Sequence, residues 1–201
     1  MTATAEDTQQ SRFVAYLFGR DAGDRAELRR CLAAERPIDH LPAYRIVESF
    51  ASGAKSRWQR ECYYLLAGLF AMVERRPPKK RGAEPNDNNA ELPGKSLTLA
   101  RAIKAYEGRS EKGEGNMSST ERRFLALLDS DRDQLPYRLR QMLLMVTRGQ
   151  NAVSAPLDWA QLLRDLWYWR DDEGDSVRQR WAQQFYEPSK DNDENQPAEE
   201  N

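Results

Sequence analysis

Residues 156–169 read PLDWAQLLRDLWYW, and together with Trp181 this carboxy-terminal region holds four of the five tryptophans. Its apolar side chains recur three and four residues apart, which is the spacing of one buried face of an α-helix. They are Trp159, Leu162, Leu163 and Leu166. Farther along, Val177, Trp181 and Phe185 recur at steps of four. The region therefore predicts two amphipathic helices whose rings lie in a core, and core residues by themselves say little about activity.

The same spacing predicts helices over most of the remaining chain. Hydrophobic residues make up 39% and charged residues 31% of the sequence, and runs of Val, Ile and Thr typical of strands are missing. The earlier predicted helices cover residues 11–18, 24–34, 44–50, 57–74 and 97–106, followed by one that begins at Ser118 and one that ends at Gly149. We predict an all-α protein of about eight to nine helices, arranged as two small helical bundles packed together.

Two helix starts carry sequences typical of amino-terminal caps. Asp24 precedes Glu27 by three residues, so its carboxylate is predicted to accept hydrogen bonds from the first-turn amides of the second helix. Ser118 precedes Glu121 by the same spacing and completes an S-x-x-E capping box. The second and sixth predicted helices are therefore expected to begin at these residues.

Composition divides the chain into segments. Residues 1–10 are expected to be flexible, residues 11–115 to form an amino-terminal helical subdomain, and residues 116–187 a carboxy-terminal four-helix subdomain. Residues 77–95 contain four prolines and two glycines and predict a long mobile loop. Residues 188–201 are almost all polar or acidic and predict a disordered acidic tail.

The net charge of −1 conceals an asymmetry along the chain. Residues 187–201 carry a net charge of −5, which leaves residues 1–186 near +4 and weakly favours an anionic partner. Two cysteines are too few for a disulfide framework, and no charged-then-apolar leader opens the sequence. The longest strongly apolar stretch, residues 63–73, is too short to cross a bilayer. We expect a soluble cytoplasmic protein without membrane contact.

The sequence lacks the residues of familiar catalytic sites. His40 is the only histidine, so a Ser-His-Asp or Cys-His nucleophile and a histidine-ligated metal centre are disfavoured. No phosphate-binding glycine motif follows a strand. The acidic groups at residues 129–133 and 171–173 are typical of solvated turns, although magnesium sites made of carboxylates alone stay open. We predict no enzyme activity, no cofactor and no metal.

Basic residues occur in pairs along the predicted helices, and such pairs can follow the phosphates of a nucleic acid. The alternative is that these arginines form ordinary surface ion pairs with Glu27, Glu61 or Glu74. The pairs and runs are Arg25 with Arg29 and Arg30, Arg57 with Arg60, Arg75 with Arg76, Lys79 to Arg81, Arg101 with Lys104, Arg122 with Arg123, and Arg138 with Arg140.

Six segments occur in an order that resembles a known family. They are GDRAELRR at 23–30, LPAYRIV at 41–47, SL at 96–97 with ARA at 100–102, ERRF at 121–124, LRQ at 139–141 and LDW at 157–159 with the residues up to Trp169. Together they resemble the small subunit, the CasB family, of the type I-E CRISPR Cascade surveillance complex. The resemblance implies an all-helical, non-catalytic subunit that occurs as a pair beside the backbone and large subunits and contacts crRNA and target DNA. In the family a basic face helps hold the guide and target path and the displaced strand.

The resemblance also assigns candidate nucleic-acid-binding residues. Asp129 and Gln141 occupy positions where some relatives are basic, which implies a weaker or shifted patch. Trp167 or Trp169 is expected to face outward for a subunit contact, because both cannot point inward with equal ease. The competing interpretation is a protein-only adaptor that bridges partners without touching nucleic acid. The candidates are Arg30, Arg57, Arg101, Arg123, Arg132 and Arg140, their neighbours Arg29, Arg122 and Arg138, and Lys79, Lys80 and Arg81 of the loop.

Overall fold

The computed structural model describes residues 5–74, 96–109, 117–169 and 175–188. Over these ranges the all-α prediction is confirmed, and the only β-type pairing is an isolated bridge between Leu97 and Leu157. Two single-turn 3-10 helices, Pro37–Asp39 and Leu41–Ala43, precede α3. Nine α-helices lie within the described ranges: α1 (Ala5–Phe18), α2 (Ala22–Cys31), α3 (Tyr44–Ala51), α4 (Arg57–Val73), α5 (Leu99–Glu107), α6 (Ser119–Leu128), α7 (Leu135–Arg148), α8 (Trp159–Trp167) and α9 (Asp175–Tyr186).

One predicted cap is confirmed and the other is wrong. The Ser118 side chain accepts from the backbone N–H of Glu121 at 2.9 Å and begins α6. Helix α2 instead begins behind Asp21, whose extended backbone places its carboxylate 2.8 Å from the N–H of Asp24. Asp24 lies inside the helix and pairs with Arg45 at 2.7 Å. A cap needs a residue with non-helical backbone geometry, and the pattern D-x-x-E could not indicate which aspartate has it.

Helix α4 lies at the centre of the larger group of helices. It packs against α2, α3 and α8, and α1 packs against α8. The smaller group consists of α5, α6, α7 and α9, with α9 packed chiefly on α5. The two groups share one continuous cluster of buried side chains. The predicted boundary near residues 108–116 does not separate the two groups, because α5 packs with the later helices and α8 packs with the earlier ones. The limits of the two subdomains stay a prediction.

All four carboxy-terminal tryptophans are buried, so the prediction of an outward Trp167 or Trp169 is wrong. Trp167 is 6% exposed and Trp169 is 0% exposed. Helix α8 ends at Trp167, so helical periodicity no longer dictates the direction of Trp169. The indole N–H of Trp169 donates to the carbonyl of Ser130 at 3.0 Å. Both rings therefore lie in the core, and the buried indole N–H of Trp169 is hydrogen-bonded there.

Several expectations fall on residues that the structure does not describe. The predicted loop at 77–95, residues 1–4 of the predicted flexible amino terminus and residues 189–201 of the predicted acidic tail lie outside the described ranges. Helix α1 begins at Ala5, six residues before the predicted start at Ser11. Within the described part of the chain, no helix is both long enough and apolar enough to span a membrane.

Candidate nucleic-acid interface

A pocket of about 160 Å³ lies between α6 and α7 and brings three of the predicted arginines together. The buried side chains of these helices, Phe124 and Leu127 on α6 and Leu139 on α7, fix their inner faces. The arginines come from the opposite, solvent-facing sides of the same helices. The pocket is lined by Arg122, Arg123, Ala126, Arg138, Gln141 and Met142. We call these six residues the α6–α7 arginine pocket.

The α6–α7 arginine pocket carries positive charge that no carboxylate of its lining neutralises. The side chain of Arg122 has no hydrogen bond or ion pair to another described residue. Arg123 makes only a long contact with the Met145 sulfur at 3.6 Å. Arg138 donates to the neutral Gln134 amide oxygen at 3.2 Å. Guanidinium groups without a carboxylate partner keep their donors available for phosphate oxygens.

Arg140 and Gln141 follow Arg138 along α7. Arg140 is exposed, and its side chain has no hydrogen-bond or ion-pair partner in the described ranges. Gln141 lines the pocket where some relatives are expected to be basic, and its amide nitrogen donates to the Tyr137 hydroxyl at 2.6 Å. Asp129 is exposed at the carboxy-terminal cap of α6, outside the pocket lining. Of the two departures from the family pattern, only Gln141 touches the pocket.

Three other predicted arginines are paired with carboxylates. Arg30 pairs with Glu27 one turn earlier on α2. The Arg57 side chain lies 3.0 Å from the Glu61 carboxylate, and that of Arg101 lies 3.9 Å from Glu187. All three are half or more exposed, so each ion pair is worth at most about 1 kcal/mol. The structure does not bring them into the α6–α7 arginine pocket.

Arg29 and Arg132 interact with the protein backbone. Arg29 is exposed and donates to the carbonyl of Ala71 at 3.4 Å. Arg132 is half-buried, donates to the carbonyl of Trp169 at 3.1 Å and lies over the Trp58 ring at 5.1 Å. Arg132 therefore helps hold the core beside α8, while Lys79, Lys80 and Arg81 lie outside the described residues.

A larger pocket of about 630 Å³ between α3, α4 and the first 3-10 helix has mixed charge. Its lining includes a Glu48 carboxylate that accepts from Arg60 at 2.7 Å and from the Tyr64 hydroxyl at 2.5 Å. Burial and the hydrogen bond to Glu48 raise the pKa of Tyr64, and the separate hydrogen bond from Arg60 to Glu48 raises the pKa of Arg60. Sequence reasoning missed the network, although Arg60 and Tyr64 lie one turn apart on α4. Internal pairing leaves this pocket a poor match for phosphate.

Reactive side chains are enclosed or paired. Cys31 and Cys62 are buried and free, and burial raises the pKa of Cys31 to about 11 and that of Cys62 well above its ordinary value. Thiols of this kind react slowly, because the thiolate is the nucleophile. His40 lies 3.1 Å from the Glu27 carboxylate. Within the described ranges, no three His, Cys, Asp or Glu side chains are grouped closely enough to hold a metal ion.

Comparison with known proteins connects this fold to a single family. The model of the family described as CRISPR-associated protein Cse2 matches residues 24–186. A relative of that name from Thermus thermophilus is 37% identical over 165 residues, which cover 81% of this chain and 78% of the relative. Helices α3 to α9 and all but the first two residues of α2 lie within the matched range.

Solved structures agree with the sequence match. CasB from Thermus thermophilus has a TM-score of 0.62 at 32% identity, covering 88% of this chain and 97% of that one. CasB from M. ruber has a TM-score of 0.64 at 35% identity, covering 89% and 92%. A chain from a structure described as a CRISPR RNA-guided surveillance complex has a TM-score of 0.61 at 22% identity, which shows the fold alone.

The fold and the α6–α7 arginine pocket thus define a small helical protein with an arginine-lined pocket at its surface. The chain belongs to the Cse2 family.

Proposed function

We propose that this chain is a non-catalytic nucleic-acid-binding subunit of a crRNA-guided Cascade complex in the cytoplasm. In this role it contacts crRNA and target DNA, the backbone and large subunits and a second copy of itself, without a membrane partner. The observation that carries the proposal is the α6–α7 arginine pocket, because its three guanidinium groups face no carboxylate in the lining. Membership of the Cse2 family supports the assembly partners that the resemblance implies.

The physical role of such a surface is to retain strands by their phosphates. Exchanging a DNA duplex for a guide–target heteroduplex is nearly balanced in base-pairing energy, so backbone contacts decide whether the open state persists. Each phosphate that an arginine neutralises releases a condensed counterion, which gives affinity without reading sequence. We infer that the protein stabilises the guide and target path and the displaced strand in this way.

A matched pair of triple variants tests the proposal. Replacing Arg122, Arg123 and Arg138 with Gln removes three phosphate contacts, and a slope of about −0.7 per contact predicts about 100-fold weaker single-strand binding at 0.1 M salt. The control replaces Arg30, Arg57 and Arg101 with Gln and so removes the same charge from residues that are internally paired. Affinity is measured by fluorescence anisotropy across a salt series, with circular dichroism to confirm unchanged helicity.

We expect the pocket variant to lose affinity and salt dependence, and the control variant to change affinity by less than about threefold. Equal losses in both variants would assign binding to net charge and reject the pocket. Salt-insensitive or absent binding, both alone and in the assembled complex, would instead favour the protein-only adaptor. The carboxylate pairing of Arg30, Arg57 and Arg101 is the observation that keeps this alternative open.

A further inference from the structure

Tyr137 on α7 is an aromatic residue that the core does not use. Its side chain is 66% exposed, compared with 47% for Phe18, 41% for Tyr168 and 53% for Tyr186, the other exposed aromatic residues of the described ranges. Phe18 packs edge-on against Phe70 at 4.8 Å, and the Tyr186 hydroxyl donates to Glu121 at 2.7 Å. Tyr137 takes part in no ring contact within the described ranges.

A hydrogen bond ties this exposed ring to the α6–α7 arginine pocket. The amide nitrogen of Gln141, one turn farther along α7, donates to the Tyr137 hydroxyl at 2.6 Å. Gln141 lines the pocket, and so does Arg138, the residue that follows Tyr137. The bond restrains the ring at its hydroxyl edge, while two thirds of the residue stays exposed. The exposed ring is therefore joined to the lining of the α6–α7 arginine pocket through Gln141.

We propose that Tyr137 and the α6–α7 arginine pocket together form a binding site for one nucleotide of a single strand. The pocket receives the phosphate, and the ring of Tyr137 stacks on the unpaired base. The pocket volume of about 160 Å³ fits a phosphate group, since sites for whole small molecules measure about 300–1,000 Å³. The inference rests on the proposed nucleic-acid function and specifies its ligand as single-stranded.

The choice of a single strand follows from the chemistry of stacking. Every unpaired base offers a π-face to an aromatic side chain, so the contact tolerates any sequence. In a duplex both faces of an internal base are covered by its neighbours, so the ring has nothing to stack on. An arginine pocket alone would bind single strands and duplexes through phosphates, whereas an adjacent ring adds affinity only for the former.

Tyr137→Ala and Tyr137→Phe test the stacking contact in the full chain. The probe is a 12-nucleotide DNA strand containing 2-aminopurine, whose fluorescence is quenched when the base stacks. Loss of one stacking contact predicts about 5- to 150-fold weaker binding of the strand by Tyr137→Ala. A duplex of the same length should bind with less than about twofold change. Tyr137→Phe retains the ring and should keep both affinity and quenching, and Tyr168→Ala is the matched control for loss of an exposed tyrosine.

The salt series separates this inference from the proposed function. Tyr137→Ala should leave the slope of affinity against salt unchanged, because a ring neutralises no phosphate. Unchanged strand binding by Tyr137→Ala, together with loss in the pocket triple variant, would overturn the stacking site and leave the proposed function standing. Equal losses on strand and duplex would also overturn it. Absence of binding by the unsubstituted chain, alone and in the assembled complex, would reject both.

Discussion

At the scale of single residues, Asp165 on α8 shows how a buried charge is held in this core. The residue is 2% exposed, and its carboxylate accepts from the Gln161 amide at 2.7 Å and from the Trp181 indole at 2.6 Å. Arg180 supplies a third donor and the opposite charge. Two donors share one carboxylate oxygen and the indole uses the other. The aspartate therefore fastens α9 to α8 by a geometry that needs two acceptor oxygens.

Asp165→Asn should lower the free energy of unfolding by about 1–3 kcal/mol. An asparagine offers one acceptor oxygen and one N–H₂ group, so either the Trp181 indole or the Gln161 and Arg180 donors face another donor. The loss is measured by urea unfolding at pH 7. Asp133→Asn is the control, because Asp133 is exposed. Equal stability of the Asp165→Asn and unsubstituted proteins would show that the cost of burying the Asp165 carboxylate cancels the free energy gained from its three hydrogen bonds.

The same two proteins should differ with pH in a defined direction. Burial raises the pKa of Asp165 above its ordinary value of 3.8, although Trp181 and Arg180 act against this. The folded protein then binds the proton more tightly than the unfolded chain, so this group contributes stability below its unfolded pKa that is lost as pH rises through its folded pKa. The stability of the unsubstituted protein relative to Asp165→Asn should therefore increase toward pH 4. A difference that shrinks toward acid would contradict the direction of the shift.

At the scale of helices, Arg25 on α2 joins the ends of two neighbours. It is 5% exposed and donates to the carbonyl of Phe18, the last residue of α1, at 3.0 Å and to that of Glu74, the carboxy-terminal cap of α4, at 2.8 Å. It also donates to the carbonyl of Arg20 at 3.0 Å. Helix ends leave carbonyls without partners inside the helix, and the guanidinium satisfies several at once.

Arg25→Ala should lower the free energy of unfolding by about 2–4 kcal/mol, because charge-assisted bonds to largely enclosed carbonyls are lost. Arg29→Ala, one turn along α2, removes an exposed arginine and should change it by less than about 0.5 kcal/mol. Thermal unfolding followed by circular dichroism measures both. Similar values for the two variants would show that hydrogen bonds to water replace those from Arg25 without loss of stability.

The contrast between Arg25 and Arg29 also shows what the sequence could reveal. Helical spacing predicted nearly every helix, because apolar side chains must cover one face wherever the helix packs. The sequence paired Arg25 with Arg29 as one basic surface, and only the fold shows that Arg25 is enclosed. Charge type is visible in a sequence, but the carbonyl or carboxylate that an arginine meets is decided by distant segments. The exposure of Tyr137 was missed for the same reason. The sequence did contain a signal for it, because Tyr137 does not belong to the apolar face of α7.

At the scale of the whole molecule, the two helix groups are interleaved along the chain. Helix α8 packs on α1 and α4, and α5 packs on α9. The Trp58 indole donates to the carbonyl of Leu166 at 2.7 Å, across 108 residues of sequence. The apolar faces of the helices have similar compositions, so the sequence does not specify which helix packs against which. The exchange of α5 and α8 between the two groups therefore could not be predicted. Neither group can complete its core without a helix from the other side of residues 110–116.

This interleaving predicts that the protein unfolds as one cooperative unit. Fragments 1–109 and 117–201 each lose a helix that covers their buried faces, so each alone should show much less helicity than its share of the full chain. An equimolar mixture should regain helicity, because the faces of α4 and α8 remain complementary. Circular dichroism at 222 nm and urea unfolding of the separate and mixed fragments measure this. Cooperative unfolding of either fragment alone would establish it as an independent domain and support the boundary drawn from composition.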